Sequence, residues 1–173
     1  MSGSLVKLDE QIVSTPVSSV NLTGMTSDYD VYMVSYFNVN SDNSSGAATC
    51  IRFTESGTAN STANYDWAFK ELISNASFSN PSNTNLNEIR IGSATTTVGK
   101  DNGTVYIFNS QNSSEYTFLT SENVRQTGTP IQGRQGGGVF TVTSTVDGIQ
   151  FGVMANPSNN ITSGTIKLYG LKK

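Results

Sequence analysis

Any chemistry in this chain has to come from carboxylates, hydroxyls and amides, because its 173 residues include no histidine. That removes the commonest general base, the Ser-His and Cys-His nucleophile pairs, and most zinc, copper and iron sites. A Ser-Lys pair is conceivable, but nothing in the sequence positions one. Two carboxylates could hydrolyse a glycoside as acid and base, and Asp66, Glu71, Glu88, Asp101 and Glu115 are the candidates. With 13 acidic residues on a small surface some are neighbours by chance, so no catalytic residue is assigned. Calcium favours clustered oxygen donors, and Asp28, Asp30, Asp42 and Asp101 lie in segments rich in them. None follows the spacing of a dedicated calcium loop, so solvated turn aspartates are expected, with no metal and no cofactor. Gly133-Arg134-Gln135-Gly136-Gly137-Gly138 has the glycine content of a phosphate cradle but lacks the Lys-Ser/Thr ending and leads into a strand. A flexible or closely packed loop is the expectation there.

Tyr65-Asp66-Trp67-Ala68-Phe69 is the segment best suited to binding. Aromatic faces flanked by Asn and Asp stack sugars on β-sandwich modules, and Trp and Tyr also concentrate energy at subunit interfaces. Tyr65 and Trp67 are therefore candidate interface or glycan contacts, with a place in the core as the third possibility.

The elements that must position these residues are strands. Ser, Thr and Asn number 24, 21 and 18, and only 13% of residues are charged, so polarity comes from hydroxyls and amides. Such side chains suit strands and turns and suit helices poorly. Eight Phe and seven Tyr supply the burial that disordered chains lack. The length fits one domain with a single core. Cys50, the only cysteine, lies in the apolar run Ala47 to Phe53 and reads as a buried structural thiol. The first residues carry no basic-then-apolar signal pattern, the apolar runs are too short to span a membrane, and a net charge of -3 offers no basic stripe to nucleic acid.

Strand patterns recur between Gly, Asn, Asp and Ser clusters. They cover Gln11 to Leu22, bent at Pro16, then Asp30 to Asn38, Ala47 to Thr54, Asn64 to Phe69, Leu86 to Ile91 and Thr104 to Asn109. Glu115 to Leu119, Val139 to Ser144, Gly148 to Met154 and a closing strand from Ser163 complete the set. Asp30 to Asn38 is apolar on both faces and should be central. In the closing strand, Ile166, Leu168 and Gly170 share one face, and Thr165, Lys167 and Tyr169 the other. Asp101-Asn102-Gly103 and Val146-Asp147-Gly148 have the chemistry of tight hairpin turns. Trp67 to Ser74 is the only candidate for a short helix. Nine or ten antiparallel strands in one compact domain predict an all-β sandwich of jelly-roll type.

The order of these motifs carries a resemblance. Val20-Asn21-Leu22-Thr23-Gly24, Tyr29 to Val34, Phe37-Asn38-Val39, Ile51-Arg52-Phe53, Tyr65 and Trp67 are followed by Gly148-Ile149-Gln150-Phe151, Asn156-Pro157 and Gly164-Thr165-Ile166-Lys167-Leu168-Tyr169-Gly170-Leu171-Lys172. Together they resemble jelly-roll domains of tailed-bacteriophage virions, which close on a G-x-I-x-L-Y-G-hydrophobic-K strand. The likeness covers roughly residues 5 to 173. It implies a non-enzymatic virion protein, made in the host cytoplasm and assembled on the outside of the particle as a homotrimer. The partners it implies are the phage major capsid protein or other virion subunits, with no nucleic acid and no membrane. With so little chain outside the domain, a capsid decoration or cement protein is expected. The alternative is a head- or tail-fibre or tail-tip module that binds a host receptor or surface glycan. On this reading residues 11–173 form the jelly-roll domain, and residues 1–10 are an arm anchored on the particle through Leu5, Val6 and Leu8.

Overall fold

The computed structural model describes residues 4–94, 100–126 and 130–172. Thirteen strands form, all paired antiparallel, and the described residues contain no helix. In chain order they are β1 (Leu5–Val13), β2 (Ser19–Thr23), β3 (Tyr29–Ser41), β4 (Ala47–Glu55), β5 (Thr58–Ala59), β6 (Tyr65–Ile73) and β7 (Ser82–Leu86). There follow β8 (Ile89–Ala94), β9 (Asp101–Phe108), β10 (Thr117–Gln126), β11 (Ile131–Phe140), β12 (Gly148–Gly152) and β13 (Ile161–Lys172). An eight-stranded sheet runs β1-β13-β3-β9-β10-β11-β6-β7, and a five-stranded sheet runs β2-β12-β4-β5 with β8 also on β4. The expected all-β antiparallel sandwich is the fold that forms.

Alternation decides what lies between the sheets. Tyr32, Val34 and Tyr36 of β3, Val105 and Ile107 of β9, and Ile166 and Leu168 of β13 are buried and face Leu22, Ile51, Phe53, Ile149 and Phe151 of the smaller sheet. The aromatic centre is Phe53, Tyr65 and Phe140, with Tyr65 and Phe140 stacked at 4.8 Å. Cys50 is fully buried, and burial pushes its thiol up to about 12, which leaves it protonated and unreactive.

Several elements differ from the sequence expectation. The Gln11 to Leu22 pattern splits at Pro16 into two strands of different sheets, so the proline marks a crossover. Residues 5–10, expected as an arm, form most of an edge strand hydrogen-bonded to β13, with Leu8 packed on the core. Trp67 to Ser74 is not helical; its alternation of buried Trp67 and Phe69 with exposed Ala68 and Lys70 is that of β6.

Neither expected hairpin forms. Asp101-Asn102-Gly103 opens β9, and neither Asn102 nor Gly103 takes positive φ; Val98 lies outside the described residues. Gly103 is there for space, because a Cβ on it would sit 2.5 Å from the Tyr36 hydroxyl oxygen. Val146-Asp147-Gly148 joins strands of different sheets, and the Asp147 carboxylate accepts hydrogen bonds from Thr54 Oγ1 at 2.6 Å and Gly57 N at 2.7 Å.

The glycine run expected as a loop is the middle of β11, paired on both sides with β10 and β6. Its close packing is real. A Cβ on Gly136 would lie 2.2 Å from Ala68 O, and one on Gly138 would lie 2.8 Å from Cγ2 of Ile89. The absent side chain of Gly138 lets β8 settle against β11, and that of Gly136 leaves room for Ala68 and Phe69 of β6. Gly136→Ala should therefore cost ~3 kcal/mol of stability in chemical denaturation, the size of an overpacked core position. Gly133→Ala, whose Cβ meets only Asn123 O at 3.2 Å, should cost about 1 kcal/mol at most.

Candidate functional site

The outer face of the eight-stranded sheet is where this molecule departs most from an ordinary soluble surface. Register places Leu5, Leu171, Val31, Phe108, Phe118 and Val139 side by side across six strands. The next row holds Lys7, Tyr169, Met33, Tyr106, Thr120 and Gly137, and the third is polar, with Glu10, Lys167, Ser35, Thr104, Glu122 and Gln135. A fourth row is mixed, with Ile12, Phe37, Val124 and Leu72 separated by Thr165, Asn102 and Gly133.

Of the large hydrophobic side chains left exposed among the described residues, only Phe78 and Tyr116 lie elsewhere. Leu5, Tyr106 and Phe118 stand at one end of this face, and Ile12, Phe37, Leu72, Val124 and Ile131 at the other. The outer face of the small sheet is the internal control. There the matching row is Asn21, Gln150 and Arg52. Scattered exposed apolar residues are ordinary, whereas a contiguous apolar face marks an interaction site.

The sequence candidates distribute unevenly about this face. Tyr65 has no exposed surface. Its hydroxyl donates to Asn60 O at 2.8 Å and accepts from Phe53 N at 3.1 Å, so it takes the core role and cannot touch a glycan or a subunit. Trp67 is 9% exposed, its ring tilted against Phe69 at 5.5 Å. It borders an open hollow of about 450 Å³ over Gly137 and Gly138, together with Asp66, Asn83, Thr84 and Phe118. Leu5 lies in the apolar outer row, while Val6 is paired to Gly170 on the inner side and Leu8 packs inward.

The carboxylates are held apart in separate roles. Glu88, nearly buried, sits between Arg52 at 3.5 Å and Arg90 at 3.4 Å. Asp66 accepts from Asn85 N, and Glu115 from Asn109 Nδ2. Asp28 accepts from Thr26 Oγ1, and Asp42 from both nitrogens of Asn160. Asp30 belongs to β3 rather than to a turn. Among the described residues no three His, Cys, Asp or Glu side chains lie together as metal ligands do.

Asp101 and Glu71 belong to one polar cluster at the inner end of the large sheet, which sequence reasoning did not assemble. Asp101 is fully buried. It accepts from Thr49 Oγ1 of the small sheet at 2.7 Å and from Asn123 Nδ2 of the large sheet at 2.6 Å. Asn123 Oδ1 in turn accepts from Arg134 N at 3.0 Å, and the Arg134 guanidinium pairs with Glu71 at 2.9 Å. Burial raises Asp101 to about 6, against the opposing pull of its two hydrogen bonds and of Arg125 and Arg134. Burial is also the largest influence on Glu71, but Arg134 and Ser79 together hold it below the ordinary value. Tyr36, whose hydroxyl lacks a partner among the described residues, is pushed well up by burial and by Asp101.

The cluster can bind a proton, but each of its two carboxylates is committed to its own partners. Its only sequence signal was the polar alternation Ser121, Asn123, Arg125 along β10. Comparison with protein-family models, with curated proteins and with solved structures finds no match to this chain.

A raised carboxyl value in the folded state means that folding favours the protonated form. Stability from Asp101 is present below its unfolded value of 3.8 and is lost as pH rises through about 6. Glu71 acts oppositely, but only as pH falls below its ordinary 4.5. From about pH 5 to about pH 7 the protein should therefore lose on the order of 1 kcal/mol. Asp101→Asn should flatten that slope in denaturation measured across the same range.

Proposed function

We propose that this chain is a non-enzymatic structural protein of a phage virion, a decoration or cement protein on the outer surface of the head, bound to the major capsid protein or to other virion subunits. The observation that carries the reading is the outer face of the large sheet. A face with one apolar row across six strands, and exposed Tyr106, Ile12, Phe37 and Val124 beside it, is suited to a protein that works while covered by another protein. The resemblance of the closing strand and of the motif order to virion jelly-roll domains supplies the setting. The individually paired carboxylates, the protonated buried thiol and the lack of histidine support a binding role over a catalytic one.

The hollow beside Trp67 favours a second reading, a fibre or tail-tip module that binds a receptor or surface glycan. It sets Trp67, although only 9% exposed, and Phe118 next to Asp66, Asn83 and Thr84, a mixture of aromatic and short polar groups of the kind that binds sugars.

Copy number separates the two. Quantitative mass spectrometry of purified particles should find hundreds of copies, placed on the head by labelled-antibody microscopy; a few copies at the tail would sink the decoration role. On a glycan array the protein should give no signal. Binding that disappears in Asn83→Ala, an exposed change outside the core, would establish the second reading instead.

A further inference from the structure

We infer that a second copy of this chain covers the outer face of the eight-stranded sheet, packed face to face about a two-fold axis that runs along the strands between β3 and β9. The inference gives the face on which the virion reading rests to a second copy in place of a capsid subunit, and a dimer in place of the homotrimer that the resemblance implies; it does not require the virion reading.

A rotation of this kind keeps each row opposite itself and reverses the strand order, so β3 meets β9, β13 meets β10, and β1 meets β11 of the other copy. In the first row Leu171 then faces Phe118, and Val31 faces Phe108. Every contact in that row is apolar. In the second row Met33 faces Tyr106.

The polar row is the discriminating one. Lys167 of β13 comes opposite Glu122 of β10, and symmetry makes this contact twice. Within one copy Glu122 has no ion-pair partner among the described residues. Lys167 is held 3.2 Å from Glu10 and 5.4 Å from the Phe37 ring, which fixes its position on this face. The row is thus self-complementary in charge. Opposite charges in an isologous interface set the register, while the apolar first row and the contact between Met33 and Tyr106 supply most of the affinity.

Size agrees. Six strands about 4.8 Å apart and four rows of side chains about 7 Å apart span ~800 Å², the area that each partner of a standard stable interface buries. Two sheets packed by their faces are also an ordinary solution for an apolar sheet surface. The outer face of the small sheet, with Asn21, Gln150 and Arg52, offers no comparable surface.

Sedimentation velocity of the purified chain over about 1 to 100 µM tests this. The expected result is a dimer. Phe118→Glu, at a position 45% exposed and so tolerated by the fold, should weaken it at least ~30-fold, with unchanged circular dichroism and unfolding midpoint. Glu122→Lys and Lys167→Glu should each weaken the dimer, and the double variant should recover it, a rescue that a merely apolar stickiness would not give. A monomer throughout the range overturns the inference. So does a dimer or trimer indifferent to Phe118→Glu, and so does failure of the charge swap to rescue. If the chain is monomeric alone and Phe118→Glu instead abolishes binding to depleted particles, the face belongs to another virion subunit and the self-pairing is wrong. The particle copy number is read independently, so the virion reading and this one can fail separately.

Discussion

The packing of β8 onto the glycine run of β11 is the contact on which the rest of this sandwich depends. Gly138 lets Ile89 come down onto the large sheet, and Gly136 lets β11 lie against the backbone of β6. At this end the two sheets stand too close for solvent to satisfy polar groups, so those groups must satisfy one another. That is why Asp101 reaches Thr49 across the gap, why Asn123 uses both ends of its amide, and why Arg134 is paired to Glu71. Away from this end the interior is aliphatic and aromatic, built on Tyr32, Tyr36, Phe53, Phe140 and Phe151. A buried polar cluster beside a dry core adds little net stability, but it fixes how the two sheets register, since sliding either would strand a charge.

The same contact divides the two faces of the large sheet. Its inner face meets the five-stranded sheet, which has too few strands to cover more. Its outer face nevertheless carries apolar rows, so the large sheet is apolar on both sides over much of its width. An antiparallel sheet with one solvated face normally alternates cleanly between apolar and polar residues. The small sheet obeys this, with Leu22, Ile149 and Phe53 inward and Asn21, Gln150 and Arg52 outward. Both sheets share one chain and one composition.

What could be read from the sequence follows from how local each signal is. The fold class depends on alternation and on the surplus of Thr, Asn and Ser, both visible within a few residues, and the sandwich was legible. So was the burial of Cys50, inside an apolar run. The turn assignments failed because Asn-Gly and Asp-Gly report only that φ is free to be positive. Asn102-Gly103 spends that freedom on room for Tyr36, a residue far away in the chain. The glycines of β11 misled for the same reason: their purpose is the neighbour they admit, and the neighbour is long-range. Tyr65 and Trp67 looked equivalent in sequence, yet the former is enclosed by Phe53 and Phe140 while the latter reaches the surface over Gly137.

The most useful sequence signal was one whose meaning changed. Asp30 to Asn38 is apolar on both faces, and the natural inference is a central strand. β3 is indeed central, between β13 and β9, but central position within a sheet does not cover its outer face. Tyr32, Val34 and Tyr36 are accounted for by the core, whereas Val31, Met33 and Phe37 face outward, the first two beside Phe108 and Tyr106 of β9. β10 shares this only at one point, with Phe118 outward beside inward Leu119. Two-sided apolarity in a strand of a two-layer sandwich thus means that a third layer is wanted. Within this chain no segment among the described residues lies over that face, and this leaves Val31, Met33 and Phe37 on the uncovered side of a central strand.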